Sequence, residues 1–276
     1  MTARFIYAAV AAVFIIYAPP AFAHSMTSNT VWSGTVKVEG QLVVEKGVTL
    51  TVKPGAKVLF VPGKLDEKGL SDSGMLVKGT FIADGKPGAR IAFTSGSDRP
   101  APGDWGEIKL FESHGSSIRD CDFSYGGWGL HLHDSDLTVS GCTFTDNSFG
   151  GVRMKGGQVE VAGCRMEGLD IGIRYWKGSP SIHHNTITKN KTGIFCRQEA
   201  EGSTIKFNNI FGNSEYDMKL GDGQKEDLDA TRNWWGTTEM KYIRKKIFDH
   251  DRDDYIGRVL VEPALSKKVE LPQPLP

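Results

Sequence analysis

The chain is short of long apolar runs, helical periodicity, net charge and cysteine, and each shortage removes a class of protein. Its longest apolar run, Phe5 to Tyr17, holds 13 residues. That is below the ~18–20 needed to cross a bilayer, and no other stretch comes near it. Lys plus Arg and Asp plus Glu both number 33, a formal net charge of zero, which excludes a global attraction to nucleic acid. Four cysteines among 276 residues are too few for a small disulfide scaffold. With almost no helical pattern, an α-helical bundle is excluded as well.

What is present begins with a targeting pattern. One basic residue, the apolar run, Pro19-Pro20 and then Ala21-Phe22-Ala23 read as a secretory signal peptide over 1–23. Its removal leaves 32 basic against 33 acidic residues, a charge of −1. The expected product is exported, periplasmic or extracellular, with no transmembrane span. Its 253 residues suffice for one large domain.

The 33 glycines and the Asn, Gly and Asp-rich joints argue for many turns and short strands. Apolar pairs recur at Ile118/Phe123, Val139/Phe144, Val161/Met166, Ile182/Ile187 and Ile205/Ile210, with steps of 21, 22, 21 and 23 residues. A third apolar position follows each pair, at Leu130, Val152, Ile173, Ile194 and Met218. Alternating short runs at a fixed period indicate a solenoid. A period near 22 fits a β-helix coil of three strands, and the Leu and Asn framework of leucine-rich repeats is absent. "PGAKVLF" at Pro54 recurs as "PGARIAF" at Pro87, which extends the pattern toward the N-terminus. The expected fold is all-β, a β-helix over 24–236 followed by a cap over 237–276. In that cap Met240, Ile243, Ile247 and Phe248 stand at helical spacing to cover the open end, "IGRVLVEPAL" is a last strand and "PQPLP" a loose tail.

The stretches "TVWSGTVKVEGQLVVEKGVTLTVKPGAKVLF", "PGDWGEI", "IHHNTITKNKTGI", "IKFNNIFGN" and "DLDATRNWWGTTE" resemble the secreted bacterial right-handed parallel β-helix repeat proteins. These are relatives of the pectate-lyase-like superfamily with carbohydrate-binding or sugar-hydrolysing domains. The resemblance implies a right-handed, single-stranded solenoid. It leaves function open, because that fold hosts lyases, hydrolases, esterases, adhesins and maturation factors.

With the third strand of each coil alternating in and out, its outward residues form two rows. One holds His131, Arg153, Arg174 and Phe195 with Lys219 next; the other holds His133, Lys155, Trp176 and Arg197. Successive members stand ~4.8 Å apart, a spacing that tracks an extended sugar chain. Guanidinium groups suit carboxylates and flat rings suit sugar faces. The rows therefore predict a binding face for a polysaccharide or cell-surface glycan, anionic and of uronate type, acting without catalysis. The same residues also serve as ordinary polar cover for a sheet.

Two other readings stay open: a polysaccharide lyase or related carbohydrate-active enzyme, and an envelope assembly factor with a protein partner. The hydrolase pattern of the resembled superfamily fails here. "SHG" at Ser113 to Gly115 and "RMK" at Arg153 to Lys155 are present, but the paired acids upstream are not, leaving only Asp98 and Asp104. For a lyase, Asp134 and Asp136 beside Arg153 or Arg174 are a loose match to a calcium site. No catalytic residue, cofactor or metal set is assigned. "DHDRDD" from Asp249 lacks the Gly and Glu of a calcium loop and reads as a solvated acidic loop.

Cys121, Cys142 and Cys164 each lie two residues before Phe123, Phe144 and Met166, and Asn185 and Asn208 occupy the same position in the next two coils. This predicts one ladder up a turn, with free buried thiols, since parallel Cβ vectors ~4.8 Å apart exceed disulfide geometry. Cys196 belongs to another wall.

Overall fold

A computed structural model describes residues 24–200 and 202–271; the signal-peptide expectation and the "PQPLP" tail lie outside these residues. Three parallel sheets wind around one core. The first has ten strands: His24–Met26, Gln41–Val44, Gly74–Val77, Ile108–Phe111, Trp128–His133, Gly150–Lys155, Ile171–Trp176, Thr192–Arg197, Tyr216–Leu220 and Ile247–Phe248. We call it the front sheet. Two eight-stranded sheets form the other walls. Each coil contributes one strand to each wall, so every backbone ladder joins residues one coil apart. Among the described residues no helix is long and apolar enough to cross a membrane.

The predicted registers are present. Ile118, Val139, Val161, Ile182 and Ile205 stack on one wall. Phe123, Phe144, Met166, Ile187 and Ile210 stack on the next, and Leu130, Val152, Ile173, Ile194 and Met218 on the front sheet. All are buried. The rings of Phe93, Phe123 and Phe144 stack at centroid distances of 5.0 and 4.9 Å, and each buried side chain of this size contributes ~1.5–3 kcal/mol.

The corner before the cysteine and asparagine ladder is left-handed in six consecutive coils. Asp120, Gly141, Gly163, His184, Phe207 and Arg232 have φ of 48, 62, 64, 55, 58 and 59°. Gly141 and Gly163 enter this region without steric penalty, whereas a ring such as that of Phe207 is strained there. The ladder that follows holds the corner. Asn185 Nδ2 donates to Asn208 Oδ1 at 2.9 Å and to the Val161 carbonyl at 2.8 Å. Asn208 Nδ2 donates in turn to Asn233 Oδ1 at 3.0 Å, so "NWWG" supplies the ladder's last rung as well as a buried Trp235. The four cysteines are free and buried; burial pushes the Cys121 and Cys164 thiols well above their ordinary pKa.

A second ladder was not read from the sequence. Asn190 Nδ2 donates to Asn213 Oδ1 at 3.0 Å, and Asn213 Nδ2 to Asp217 Oδ1 at 2.8 Å. Asp217 is 2% exposed, and burial raises its carboxyl to a pKa of about 6, with the bonds from Asn213 opposing the shift.

Two expectations need correction. The helix spans only Met240–Lys245. Ile247–Phe248 is instead the tenth front strand, paired with Met218 and Lys219, so the front sheet continues into the segment assigned to the cap. Spacings of three and four suit a helix, but a buried Ile beside a half-exposed Phe fits an edge strand equally well, and an open ladder at Tyr216–Leu220 was available to pair. Second, Asp249 is not a solvated acid. It is buried, and its carboxylate accepts from the Val259 and Asp251 amides at 2.9 and 3.1 Å. The two "PGA" motifs recur on neighbouring strands but are not partners position for position. Val58 lies against Phe93 and Phe60 against Ser95, two residues along from the motif alignment, which preserves the inward face but not the register. The last strand is present as Val259–Leu260, paired with Leu228–Asp229.

Candidate functional site

Both outward rows exist on the front sheet in the expected order. His131, Arg153, Arg174, Phe195 and Lys219 are consecutive register partners, as are His133, Lys155, Trp176 and Arg197. The rows also run further than expected. Lys109 lies next to His131 and Phe111 next to His133, and Phe248 follows Lys219. Lys109 and Phe111 stand one 22-residue step before His131 and His133, so the same count carried one coil further back finds them; the step before that, from Leu76 to Lys109, is longer and breaks the period.

The face is an interleaved array of cations and rings. The Arg153 guanidinium lies 5.4 Å from the Trp176 ring centroid and 6.0 Å from that of Trp128. Arg174 lies 5.7 Å from Trp176 and 5.4 Å from Phe195. Lys219 Nζ sits 5.7, 5.6 and 5.1 Å from Phe195, Tyr216 and Phe248. Each such contact is worth ~0.5–1 kcal/mol at an exposed site, so the rings hold the cations in place without neutralising them.

Carboxylate partners are missing here. Among the described residues Arg153, Arg174 and Arg197 form no salt bridge, and the Nε of each is buried without a hydrogen-bond partner. Burial, and then the like charges of Arg153 and Arg197, push the Arg174 guanidinium below its ordinary pKa. With no acid beside them and like charges as neighbours, these guanidiniums keep their terminal N–H groups for an anion outside the sheet.

The histidine end differs. His131 is only 5% exposed; it belongs to the row, but Glu107 covers it, with Oε1 2.8 Å from His131 Nδ1. His131 Nε2 and Glu107 Oε2 are buried and unpartnered. His133 accepts from Lys155 Nζ at 3.0 Å through Nε2 and stacks on Phe111 at 4.9 Å. Burial pushes both imidazoles below their ordinary pKa, with Glu107 opposing at His131 and Lys155 reinforcing at His133. Both are therefore uncharged at neutral pH, leaving an uncharged step between Lys109 and the cations that start at Arg153 and Lys155. Glu107 could have been found in "GDWGEIK", two residues before Lys109 on the same alternation.

Of the other sequence candidates, Asp134 is a left-handed turn residue with φ 46° whose Oδ2 lies 2.9 Å from His133 Nδ1 at the histidine end of the face, while Asp136 holds His114 at 2.9 Å on the exposed rim. Among the described residues no group of three or more His, Cys, Asp or Glu side chains is arranged to hold a metal ion.

No curated protein and no solved structure matches the chain. Residues 70–233, more than half of the 276, match the family model described as a right handed beta helix region; together with the three-walled parallel coil, this shows that the chain belongs to the right-handed β-helix family.

Proposed function

We propose that the outward face of the front sheet binds an acidic polysaccharide or cell-surface glycan, as an exported binding protein rather than as a catalyst. The observation that carries the reading is the set of three guanidiniums, Arg153, Arg174 and Arg197, on adjacent strands of one face with no carboxylate among the described residues to pair them. Uronate carboxylates spaced along a polymer would supply acceptors to their terminal N–H groups. Arg groups bind carboxylates through paired, charge-assisted hydrogen bonds, and Trp176 and Phe195 offer flat surfaces to the C–H faces of sugar rings. Lys155, Lys219 and Lys109 extend the positive field along the same line.

The adjacency of rings and cations argues for this ligand over a bare anion. A phosphate or sulfate needs charge alone, whereas alternating Arg, Trp and Phe fit a ligand that alternates charge with apolar ring faces. The family model agrees with a carbohydrate-related role without naming a ligand.

The test is a titration of polygalacturonate and alginate into the native protein and into an Arg153→Ala, Arg174→Ala variant. Binding that is present in the first and at least tenfold weaker in the second is expected; equal affinity for the two would refute the proposal. Absorbance of unsaturated uronate appearing in the same mixtures would replace binding by lyase chemistry.

A further inference from the structure

The face is not the same at its two ends. Toward the N-terminus its first row runs on through Lys109 to Leu76, with further strands of the sheet beyond. Toward the C-terminus it meets a wall. Phe248 is the last register position above Lys219, and the turn after it brings Asp253 to a cleft shared with Phe195, Arg197, Lys219, Asp222 and Phe248. We propose that this cleft is a subsite for the terminal residue of the glycan, so that the protein docks on chain ends; the proposal rests on the reading of the face as a glycan site.

The wall is firmly held. The Arg252 and Asp253 amides donate to the Asp249 carbonyl at 2.8 and 3.1 Å, and His250 Nδ1 lies 3.0 Å from the Ile256 carbonyl. The Arg252 side chain donates to the Ile247 and Lys245 carbonyls at 3.1 and 3.0 Å while its guanidinium lies 5.6 Å from the Tyr216 ring centroid. The buried Asp249 carboxylate ties the turn to Val259 at 2.9 Å. A sugar chain running along the rows therefore reaches a fixed obstruction.

The cleft measures about 250 Å³, below the ~300–1,000 Å³ of sites that enclose larger ligands, so it takes a single sugar ring. Its floor is apolar, from Phe195 and Phe248. Gly221 keeps that floor open, since a Cβ there would stand 2.7 Å from the Phe195 ring. Arg197 and Lys219 line it and suit the carboxylate of a uronate. Asp222 and Asp253 line it as well, and they accept hydrogen bonds but cannot donate them when ionised. The Asp222 carboxylate makes no hydrogen bond or ion pair among the described residues.

Those two acids separate an end from an interior. A terminal sugar has a free hydroxyl where an interior one carries the next residue, and that hydroxyl donates to a carboxylate. An interior residue presents only an ether oxygen there, leaving the carboxylate unsatisfied and driving its neighbour into the Asp249 turn. Rejection by unpaired polar groups and by contact is how a site excludes a near-identical ligand.

The experiment compares a short and a long size fraction of polygalacturonate at equal mass, measuring protein bound at saturation. End docking predicts one protein per chain, so that capacity per gram falls in proportion to chain length. Capacity per gram independent of length overturns the end subsite and leaves the face reading standing. Absence of binding to both fractions, and to alginate, removes the face reading and this proposal together. An Asp222→Ala variant, altered only at an exposed turn, should bind the short fraction about tenfold more weakly; unchanged affinity also overturns the subsite.

Discussion

The outward face of the front sheet and those of the two other sheets are built on the same coils, yet they treat charge in opposite ways. On the other two sheets many charges are matched across the ladder, with Lys37, Lys57 and Arg119 as exceptions. Glu160 takes the Thr138 hydroxyl at 3.1 Å and lies 2.9 Å from His183 Nε2. Lys206 meets Asp229 at 2.7 Å, Lys189 and Arg165 share Glu167, and Arg90 meets Asp122 at 2.8 Å. On the front sheet, Arg153, Arg174 and Arg197 have rings for neighbours and no acid. A sheet needing only solubility would look like the first kind, because cross-strand pairing of opposite charges stabilises it. Adjacent unpaired guanidiniums work against stability, and their presence on one wall out of three is the contrast on which the proposed glycan face rests.

The largest expected effect comes from removing the unmatched charges. The Arg153→Ala, Arg174→Ala variant should lose acidic-polysaccharide binding by about a hundredfold, given ~1.5–3 kcal/mol for each hydrogen bond to a charged group. Its melting temperature should hold or rise as repulsion is relieved. A marked fall in melting temperature would show that these arginines are structural.

The matched side should respond in reverse. Arg90 donates to Asp122, to the Gly141 and Cys121 carbonyls and to the Thr143 hydroxyl. Arg90→Ala strips these acceptors together and should cost about 3 kcal/mol of stability, read by chemical denaturation, with polysaccharide affinity unaltered.

Asp217 is a third kind of charge, buried and matched only by amides. Its folded pKa of about 6 stands above the unfolded value, so the protonated carboxyl is favoured in the fold. Its contribution to stability is fully present below about pH 4 and is lost as pH rises through 6. Asp217→Asn keeps the acceptor for Asn213 and removes the charge. It should stabilise the protein by about 2 kcal/mol at pH 8, with the gain vanishing by pH 4; a gain independent of pH would contradict this account of Asp217.

The smallest effect separates ring from charge. Trp176→Ala should weaken polysaccharide binding by only about fivefold, or ~1 kcal/mol, while leaving the salt dependence set by the arginines unchanged. A steeper salt dependence would mean that Trp176 screens the charges instead of contacting sugar.

The extent to which sequence disclosed this molecule follows its regularity. Where coils repeat near 22 residues, alternation alone set the register of Val152, Ile173 and Ile194, and with it the placement of Arg153, Arg174 and Trp176 outside. The same count reaches Lys109 and Phe111 one step before His131 and His133, and it fails only where the coil lengthens, between Leu76 and Lys109. Alternation places Glu107 two residues before Lys109 on the neighbouring coil, but it is the side-chain contact, Glu107 Oε1 2.8 Å from His131 Nδ1, that covers this imidazole, and spacing alone does not give that. The C-terminal wall was misread for another reason. Ile247 and Phe248 fit helix and strand periods alike, and only the waiting edge of Tyr216–Leu220 decides between them. Asp249 looked like a surface acid because its partners, Arg244 and the Val259 amide, are contributed by segments folding back from either side.

The central claim is that the unmatched arginines of the front sheet await carboxylates on a sugar chain. Isothermal titration of the protein with polygalacturonate and with its fully methyl-esterified form, which keeps the rings and removes the charge, tests it most directly. The account predicts clear binding of the acid form, weakened by salt, and at least tenfold weaker binding of the ester. Equal affinity for the two forms, or none for the acid, would contradict it.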